Sequence, residues 1–569
     1  MSWKTWLVVF TALVTGVGVV LNLATRLPAP PAHQVFINAE VITLDDQGSV
    51  AEAVAVRGEL IEAVGTTDEI MALVEDQTVV HDLRGRTLMP GFVDAHGHFP
   101  ASGISSVSAD LSSPPVGDAL NIKDVLDALR VEAQRRPNSA VITGFGYDDT
   151  LLAEKRHPTR DDLDKVSTER PVIINHVSGH LAVANSAALA LVGINADTPD
   201  PEGGVIQRRE GSNEPNGVLE ENAAFMALEL SLDFSLGEIY ALLKTSINDY
   251  ASHGVTTAQS GGAAAPMMQG LSLASRLGML PLRLNLFAFE KDTGEGLLNG
   301  EIVLDEYSTA RVKAVAVKLV ADGSIQGYTG YLSQPYHVPY KGDEAYRGYP
   351  TITRDVLFEK VAALHKAGFQ LAIHGNGDQA IEDIIDAFEA AQAAYPVDDP
   401  RLILIHGQMA REEQVKRMKG LGITPSFFSA HTYFWGDRHR EIFMGPARAD
   451  AISPAQWAVQ HGVRYSSHLD SPVVPMRPLQ AVWSQVFRQT YGGDVLGPEQ
   501  RVSVMQALRA VTIDAAWQVF QEDEIGSIEP GKLADLIVLS GSPLKEPMAM
   551  RDLKVDRTVV GGATIYRRQ

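Results

Sequence analysis

The sequence contains no cysteine. Disulfides, thiolate zinc sites, iron–sulfur clusters, a cysteine nucleophile and a lipid anchor on cysteine are all excluded. Any metal must be held by nitrogen and oxygen, and 16 histidines are available for that. Basic residues are outnumbered: 48 Lys and Arg face 70 Asp and Glu, for a net charge of −22. That sign argues against a nucleic-acid partner, because a phosphate backbone needs a basic footprint. Hydrophobic residues make up 45% and charged residues 21%, a globular balance that excludes wholesale disorder. Short-period repeats and low-complexity tracts are also missing.

The chain has 569 residues. At roughly 150 residues per domain, this allows three or four domains, or one large barrel with additions. The run from Trp6 to Ala24, WLVVFTALVTGVGVVLNLA, carries no charge, with Lys4 before it and Arg26 after it. Its length approaches the ~20 apolar residues that span a bilayer. A signal peptide usually has a shorter apolar core and a small-x-small cleavage site, and Asn22-Leu23-Ala24 is a poor one. Residues 1–32 are therefore expected to hold an N-terminal transmembrane helix at 6–24, kept as an anchor, followed by a linker with Pro28-Ala29-Pro30-Pro31 as a stiff spacer. With Lys4 inside, the body of the chain would be membrane-anchored on the periplasmic or extracytoplasmic side. Secretion after signal cleavage is the alternative.

Short β-branched runs fill Val35 to Leu88: VFINAEVITL, AVAVRGELIEAVG and TVVHDLRGRTLM. Their period-two alternation and glycine turns indicate antiparallel strands. The C-terminus repeats the style in GSIEPGKLADLIVLS and DRTVVGGATIYRR. Neither piece has enough strands to bury a core alone, so 33–88 and 520–569 predict one composite β-sandwich domain. Between them, at 89–519, apolar strands alternate with helical patterns. The strands are GFVDAH near 91, GVTTAQ near 254, LRLNLFAF near 282, AVAVKLVADG near 314, FQLAIHGNG near 369, LILIHGQ near 402, GITPSFFS near 422 and VRYSSHLD near 463. Eight such units predict an α/β fold, a TIM-like (β/α)8 barrel. The first gap is too long for one connection. Residues 99 to about 250 therefore read as an insertion at the barrel mouth, with strands of its own near 140 and 171.

The polar residues of this body sit at strand ends, where a barrel of this kind builds its site. The first strand ends in Asp94-Ala95-His96-Gly97-His98. Histidines at i and i+2 on extended chain share a face and can reach one ion. The fourth strand carries Lys318, the fifth ends at His374, the sixth at His406, and the eighth runs into His468-Leu469-Asp470-Ser471-Pro472. One strand-end histidine is most often a hydrogen-bonded core residue. The whole set is hard to explain as packing.

Zinc accepts neutral imidazole and carboxylate. Two histidines with an aspartate can hold one ion, and two further histidines a second. Two cations about 3.5–4 Å apart need a bridge. A lysine ammonium has no lone pair to offer. A lysine carbamylated by carbon dioxide is an anionic bidentate ligand and can bridge. The alternative for Lys318 is neutralisation of Asp322 or of a substrate carboxylate.

These residues resemble the amidohydrolase superfamily, in the family 3 branch that includes enzymes acting on N-substituted formamides and other N-acyl compounds. Branch-like motifs are GFGYDDT at 144–150, HVSGHLAVANSAAL at 176–189, NGVLEEN at 216–222, VKLVADGS at 317–324, HGNGDQAI at 374–381 and HTYFWGD at 431–437. IGSIEPGKLADLIVLS at 525–540 resembles the superfamily's small β-domain. The resemblance covers about 34 to 566. It implies that His96 and His98 bind one metal, His374 and His406 the other, that Lys318 bridges as a carbamate, and that Asp470 sits against the metal water. There are two departures. The usual Gly-Ser-Asp at the last strand is Ser467-His468-Leu469-Asp470, and His-Ala-Ile-Gly-Asp is His374-Gly375-Asn376-Gly377-Asp378.

The implied activity is hydrolysis of a non-peptide carbon–nitrogen bond, amide or N-acyl, by metal-activated water, with two divalent ions, zinc by default. Asp470 would shuttle the proton from the nucleophile to the leaving nitrogen. His180, Asp322, Asn185 and His431 are candidate contacts for a small-molecule amide substrate, and a homodimer is compatible with the chain. A mononuclear zinc deaminase of the same superfamily and a membrane-tethered binding protein without activity are the alternatives.

Overall fold

The computed structural model describes residues 27–569 apart from Asp233. The eight apolar segments form one parallel sheet in chain order: β1 (Phe92–Val93), β2 (Val255–Ala263), β3 (Arg283–Phe289), β4 (Val312–Val320), β5 (Leu371–Gly375), β6 (Leu402–His406), β7 (Ile423–Phe427) and β8 (Ser466–Ser467). Alternation along each strand separates two apolar faces. Phe287, Ala316, Ala372, Ile403 and Ile405 point inward and pack together with Val519. Leu286, Val317, Leu319, Ile373, Leu402 and Leu404 point outward into the main core. There they meet Ile381 and Ile384 of the helix Asp378–Ala394, and Val415 and Met418 of the helix Glu412–Leu421. Truncating a fully buried residue such as Leu404 to alanine is expected to cost about 2–5 kcal/mol.

The sheet is curled rather than laddered into a closed ring, which corrects the expected complete barrel. β1 and β8 are two residues each and do not pair as strands. Beyond them the chain leaves extended geometry, and Asp470 has a φ of 54°. The two ends meet through loop backbone instead. Asp470 N–H donates to the His96 carbonyl at 3.2 Å, and His98 N–H donates to the Ser471 carbonyl at 2.8 Å. This seam brings the first and last loops of the sheet together.

Between β1 and β2 the chain builds a six-stranded mixed sheet. Its strands Ile142–Tyr147 and Val172–His176 run parallel, and Leu181–Ala184 and Pro215–Glu221 follow antiparallel. Outside the curled sheet two further sheets face each other. Thr87–Pro90 pairs antiparallel with Leu536–Leu539, setting Leu88 opposite Val538. Phe36, Val54 and Val56 of the four-stranded sheet share a core with Leu88, Leu536, Val538 and Val559 of the six-stranded one.

The expected membrane anchoring is overturned as an account of the described chain. No helix among the described residues is long and apolar enough to cross a membrane. The expected transmembrane helix at 6–24 lies outside the described residues.

Candidate active site

The seam between β1 and β8 carries His96, His98 and Asp470. His96 is buried, with its Nδ1 2.9 Å from Gln259 Oε1. The Gln259 amide donates to the Ala95 carbonyl at 2.9 Å, so its oxygen is free to accept. The proton of neutral His96 therefore sits on Nδ1, and the Nε2 lone pair faces inward. That Nε2 lies 3.4 Å from Lys318 Nζ and 3.5 Å from Asp470 Oδ1. The ring fits because residue 261 is glycine: a Cβ there would stand 2.2 Å from His96 Cε1.

Strand alternation delivers the next two residues. Lys318 follows Ala316 on the inner face of β4, and His374 follows Ala372 on the inner face of β5. On β6 the inner residues are Ile403 and Ile405, so alternation would turn His406 outward. Its φ of 70° breaks the alternation. The ring comes to 4.5 Å from that of His374 and 5.5 Å from that of His96. A non-glycine residue in this region carries a cost of roughly 1–2 kcal/mol, spent here on aiming a side chain.

His98 Nε2 lies 3.1 Å from Asp470 Oδ1, and His406 Nε2 lies 3.9 Å from Asp470 Oδ2. His96, His98 and Asp470 each present a ligand atom within 4.8 Å of the others. Burial holds His96, His374 and His406 well below the ordinary histidine range, aided by their like-charged neighbours, so their lone pairs are available near neutral pH. Burial works to raise the Asp470 carboxyl, but the adjoining His98, His96 and His468 outweigh it and keep it ionised far down the pH scale. Burial also lowers Lys318 to about 7. Two buried atoms here have no hydrogen-bond partner, His374 Nδ1 and Asp470 Oδ1. Their nearest opposite-charge contacts are close but not aligned as hydrogen bonds. A set of neutral imidazole nitrogens around one carboxylate, with orphaned ligand atoms, fits divalent ions.

Residues 79–566 match the family model described as "Amidohydrolase family". The chain belongs to this family. It is a metal-dependent amidohydrolase, an enzyme for carbon–nitrogen bonds other than peptide bonds. It is 31% identical over 550 residues to the N-substituted formamide deformylase of Arthrobacter pascens, covering 94% of this chain and 98% of that protein. It is 27% identical to a putative amidohydrolase of Bacillus subtilis (strain 168), over 93% of this chain and 98% of that one. The fold is shared with an uncharacterized metal-dependent hydrolase from Pyrococcus horikoshii OT3, at a TM-score of 0.71 and 22% identity, over 90% of this chain and 98% of that one.

The four remaining candidates of the amidohydrolase part company. His180 approaches the cluster, its ring 5.0 Å from that of His374. His431 lies beyond β7, its ring 4.0 Å from Phe428, with Nδ1 buried and unpartnered. Burial lowers it to about 3, so it is neutral. Asp322 and Asn185 are engaged by the fold. Asp322 spends its carboxylate on the backbone N–H groups of Tyr331, Asn376 and Gly377 at 2.9, 3.0 and 2.8 Å. Asn185 caps the helix Ser186–Leu191. It accepts from the Ala188 and Val172 N–H groups and donates to the Ser167 and Arg170 carbonyls. Both side chains are fully buried and fully engaged, leaving neither free for a substrate.

Sequence reading missed Gln259 and Gly261, both within the GVTTAQSGG segment of β2, where alternation puts them on one inner face. It left His468 ambiguous. In the structure His468 stands behind His406, with Nε2 3.0 Å from His406 Nδ1 and Nδ1 2.9 Å from Ser426 Oγ. It orients the His406 ring. A second group of metal-ligand residue types, Asp148, Asp149 and His176, lies at the insertion's strand ends. There Asp148 is paired with Arg438 at 2.6 Å, and Ser178 N–H donates to His176 Nδ1 at 3.2 Å. That tautomer turns a proton toward Asp149, not a lone pair, and does not suit an ion.

Proposed function

We propose that this amidohydrolase cleaves the amide bond of a small N-acyl compound, with N-substituted formamides the first class to test. Its centre would be His96, His98, Lys318, His374, His406 and Asp470. One observation carries the reading: these side chains converge at the ends of β1, β4, β5, β6 and β8, with His374 Nδ1 and Asp470 Oδ1 buried and unpartnered. The likeness to the Arthrobacter pascens N-substituted formamide deformylase supports the choice of formamides.

His96 and His98, beside Asp470, would hold one divalent ion, and His374 and His406 a second. Nitrogen and oxygen donors suit zinc, and manganese or iron also accept them. Lys318 would bridge as its carbamate. Its lowering to about 7 supports this, because carbon dioxide reacts with the neutral amine. Bound there, the ions would supply Lewis acidity, easing ionisation of a water and polarising the substrate carbonyl.

Asp470 would carry the proton. Ionised among the imidazoles, it accepts a proton from the attacking water as the new C–O bond forms at the carbonyl carbon. It returns that proton to the amide nitrogen as the C–N bond breaks. One water is consumed, and a carboxylic acid and an amine leave. Neutral His431, with its free Nδ1, would hydrogen-bond the substrate beyond the reacting centre.

The test is a panel of N-substituted formamides, N-acetyl amides and amino-substituted heterocycles with purified, metal-loaded enzyme. Equimolar acid and amine support the proposal. Ammonia released from the heterocycles alone would point to the mononuclear deaminase instead.

A further inference from the structure

The helices Asn222–Ser231 and Leu236–Ser252 follow one another in the insertion. In the first, the small residues Ala223, Ala224 and Ala227 are buried and share a core with Ile206 and Leu219. The larger Phe225 and Met226 are exposed. A helix that is apolar on both faces is normally covered on both. In the second helix, Leu243, Ser246 and Tyr250 are buried, and the same stripe runs back at helical spacing through Tyr240, Ile239 and Leu236. There it overhangs the core: Ile239 and Tyr240 are exposed, and Leu236 is 85% exposed. Leu232, between the two helices, is 56% exposed.

Polar groups border this face. Lys291 Nζ lies 4.6 Å from the centre of the Phe225 ring and 3.2 Å from Asn222 Oδ1. Glu238 is paired with Arg136 of the same chain. An apolar centre inside a polar rim is the anatomy of a protein–protein interface. At ~200 Å² for each fully exposed large side chain, the six apolar residues offer roughly 600 Å². That is the upper end for the largest apolar patch on an ordinary monomer, about 300–600 Å². It also approaches the ~800 Å² that each partner buries in a stable complex.

We propose that two copies of this chain associate about a two-fold axis through Phe225, Met226, Leu232, Leu236, Ile239 and Tyr240, each copy covering the other's overhanging stripe. A second copy fits the area, because one self-complementary face per chain closes a two-fold dimer and no further surface is needed. It also fits the charge. At a net charge of −22, two copies repel one another over much of their surface. On this face Glu238 is matched by Arg136 within each copy, which takes a carboxylate out of that opposition.

The experiment is sedimentation of the full-length, metal-loaded protein over a range of concentrations, which should show a monomer–dimer equilibrium or a dimer. Leu236→Glu combined with Ile239→Glu should raise the dissociation constant by about 10²-fold or more, because a two-fold axis meets each substitution twice. Both side chains are exposed, so the resulting monomer should keep the wild-type circular dichroism. The chain has no cysteine, so an introduced thiol is unique. With a short bis-maleimide, Tyr240→Cys should give cross-linked dimer, and Val397→Cys, exposed in the turn before β6, should not. This pair decides the matter should the glutamate variant misfold. A wild type that is monomeric at every concentration overturns the proposal, and is the result expected if residues 1–26 of the same chain cover the face. A dimer that survives both glutamates, or equal cross-linking from the two thiols, overturns it as well.

Discussion

Gln259 Oε1 lies 2.9 Å from His96 Nδ1, and the same glutamine is held by its amide to the Ala95 carbonyl at 2.9 Å. A neutral side chain thus decides which nitrogen of His96 keeps a lone pair. Gln259→Leu removes that decision with little change in volume. Metal affinity should fall by about 10–100-fold, the usual effect of losing such a support. Calorimetric titration of metal into depleted enzyme checks it, and an unchanged affinity would show that the tautomer is set elsewhere.

Gly261 and Gly262 make a matched pair. An added Cβ would stand 2.2 Å from His96 Cε1 at the first, and no nearer than 3.8 Å to any neighbouring atom at the second. Gly261→Ala should displace His96 and cost about 10²-fold in activity, as a misplacement near 1 Å does. Gly262→Ala should stay within a few-fold of wild type. Equal activity in the two variants would contradict the packing described for His96.

Much of this was legible in the sequence. All eight strands of the curled sheet were visible as apolar runs bounded by turn residues, and their terminal polar residues marked the cluster. Long-range closure was not. Asp470 and His406 reach the centre only through left-handed backbone, which no periodicity announces. Asn185 and Asp322 lie in motifs as conspicuous as those around His180, yet their chemistry is consumed by backbone N–H groups. Residue type and motif cannot separate a polar residue that serves the fold from one that faces a ligand. Only the partners of its atoms do.

That distinction predicts different phenotypes. Asp322→Ala leaves three backbone N–H groups without an acceptor. At about 1–3 kcal/mol for each orphaned buried donor, stability should drop by at least ~3 kcal/mol. Asn185→Ala removes a helix cap, typically about 1–2 kcal/mol. Denaturant unfolding should report both losses. The folded fraction of Asn185→Ala should retain the wild-type KM, and a raised KM would restore Asn185 as a substrate contact.

Lys318 supplies a pH prediction. Burial lowers its ammonium from 10.5 to about 7. The neutral amine, the form that carbon dioxide attacks, therefore accumulates as pH rises through about 7. In metal-depleted enzyme at fixed dissolved carbon dioxide, activation on adding metal should climb through that range and level off above it. A climb that continues toward 10.5 would mean that the lysine is not shifted.

The most direct measurement is amide hydrolysis during titration of metal into depleted enzyme, run in parallel for wild type and Asp470→Asn. Wild type should be inactive until metal is added and should gain activity as the ions bind. Asp470→Asn keeps a ligand oxygen but cannot move a proton. It should take up metal while its turnover stays lower by about 10²-fold or more. Wild-type activity that survives metal removal, or an Asp470→Asn variant that turns over like wild type, would contradict the account.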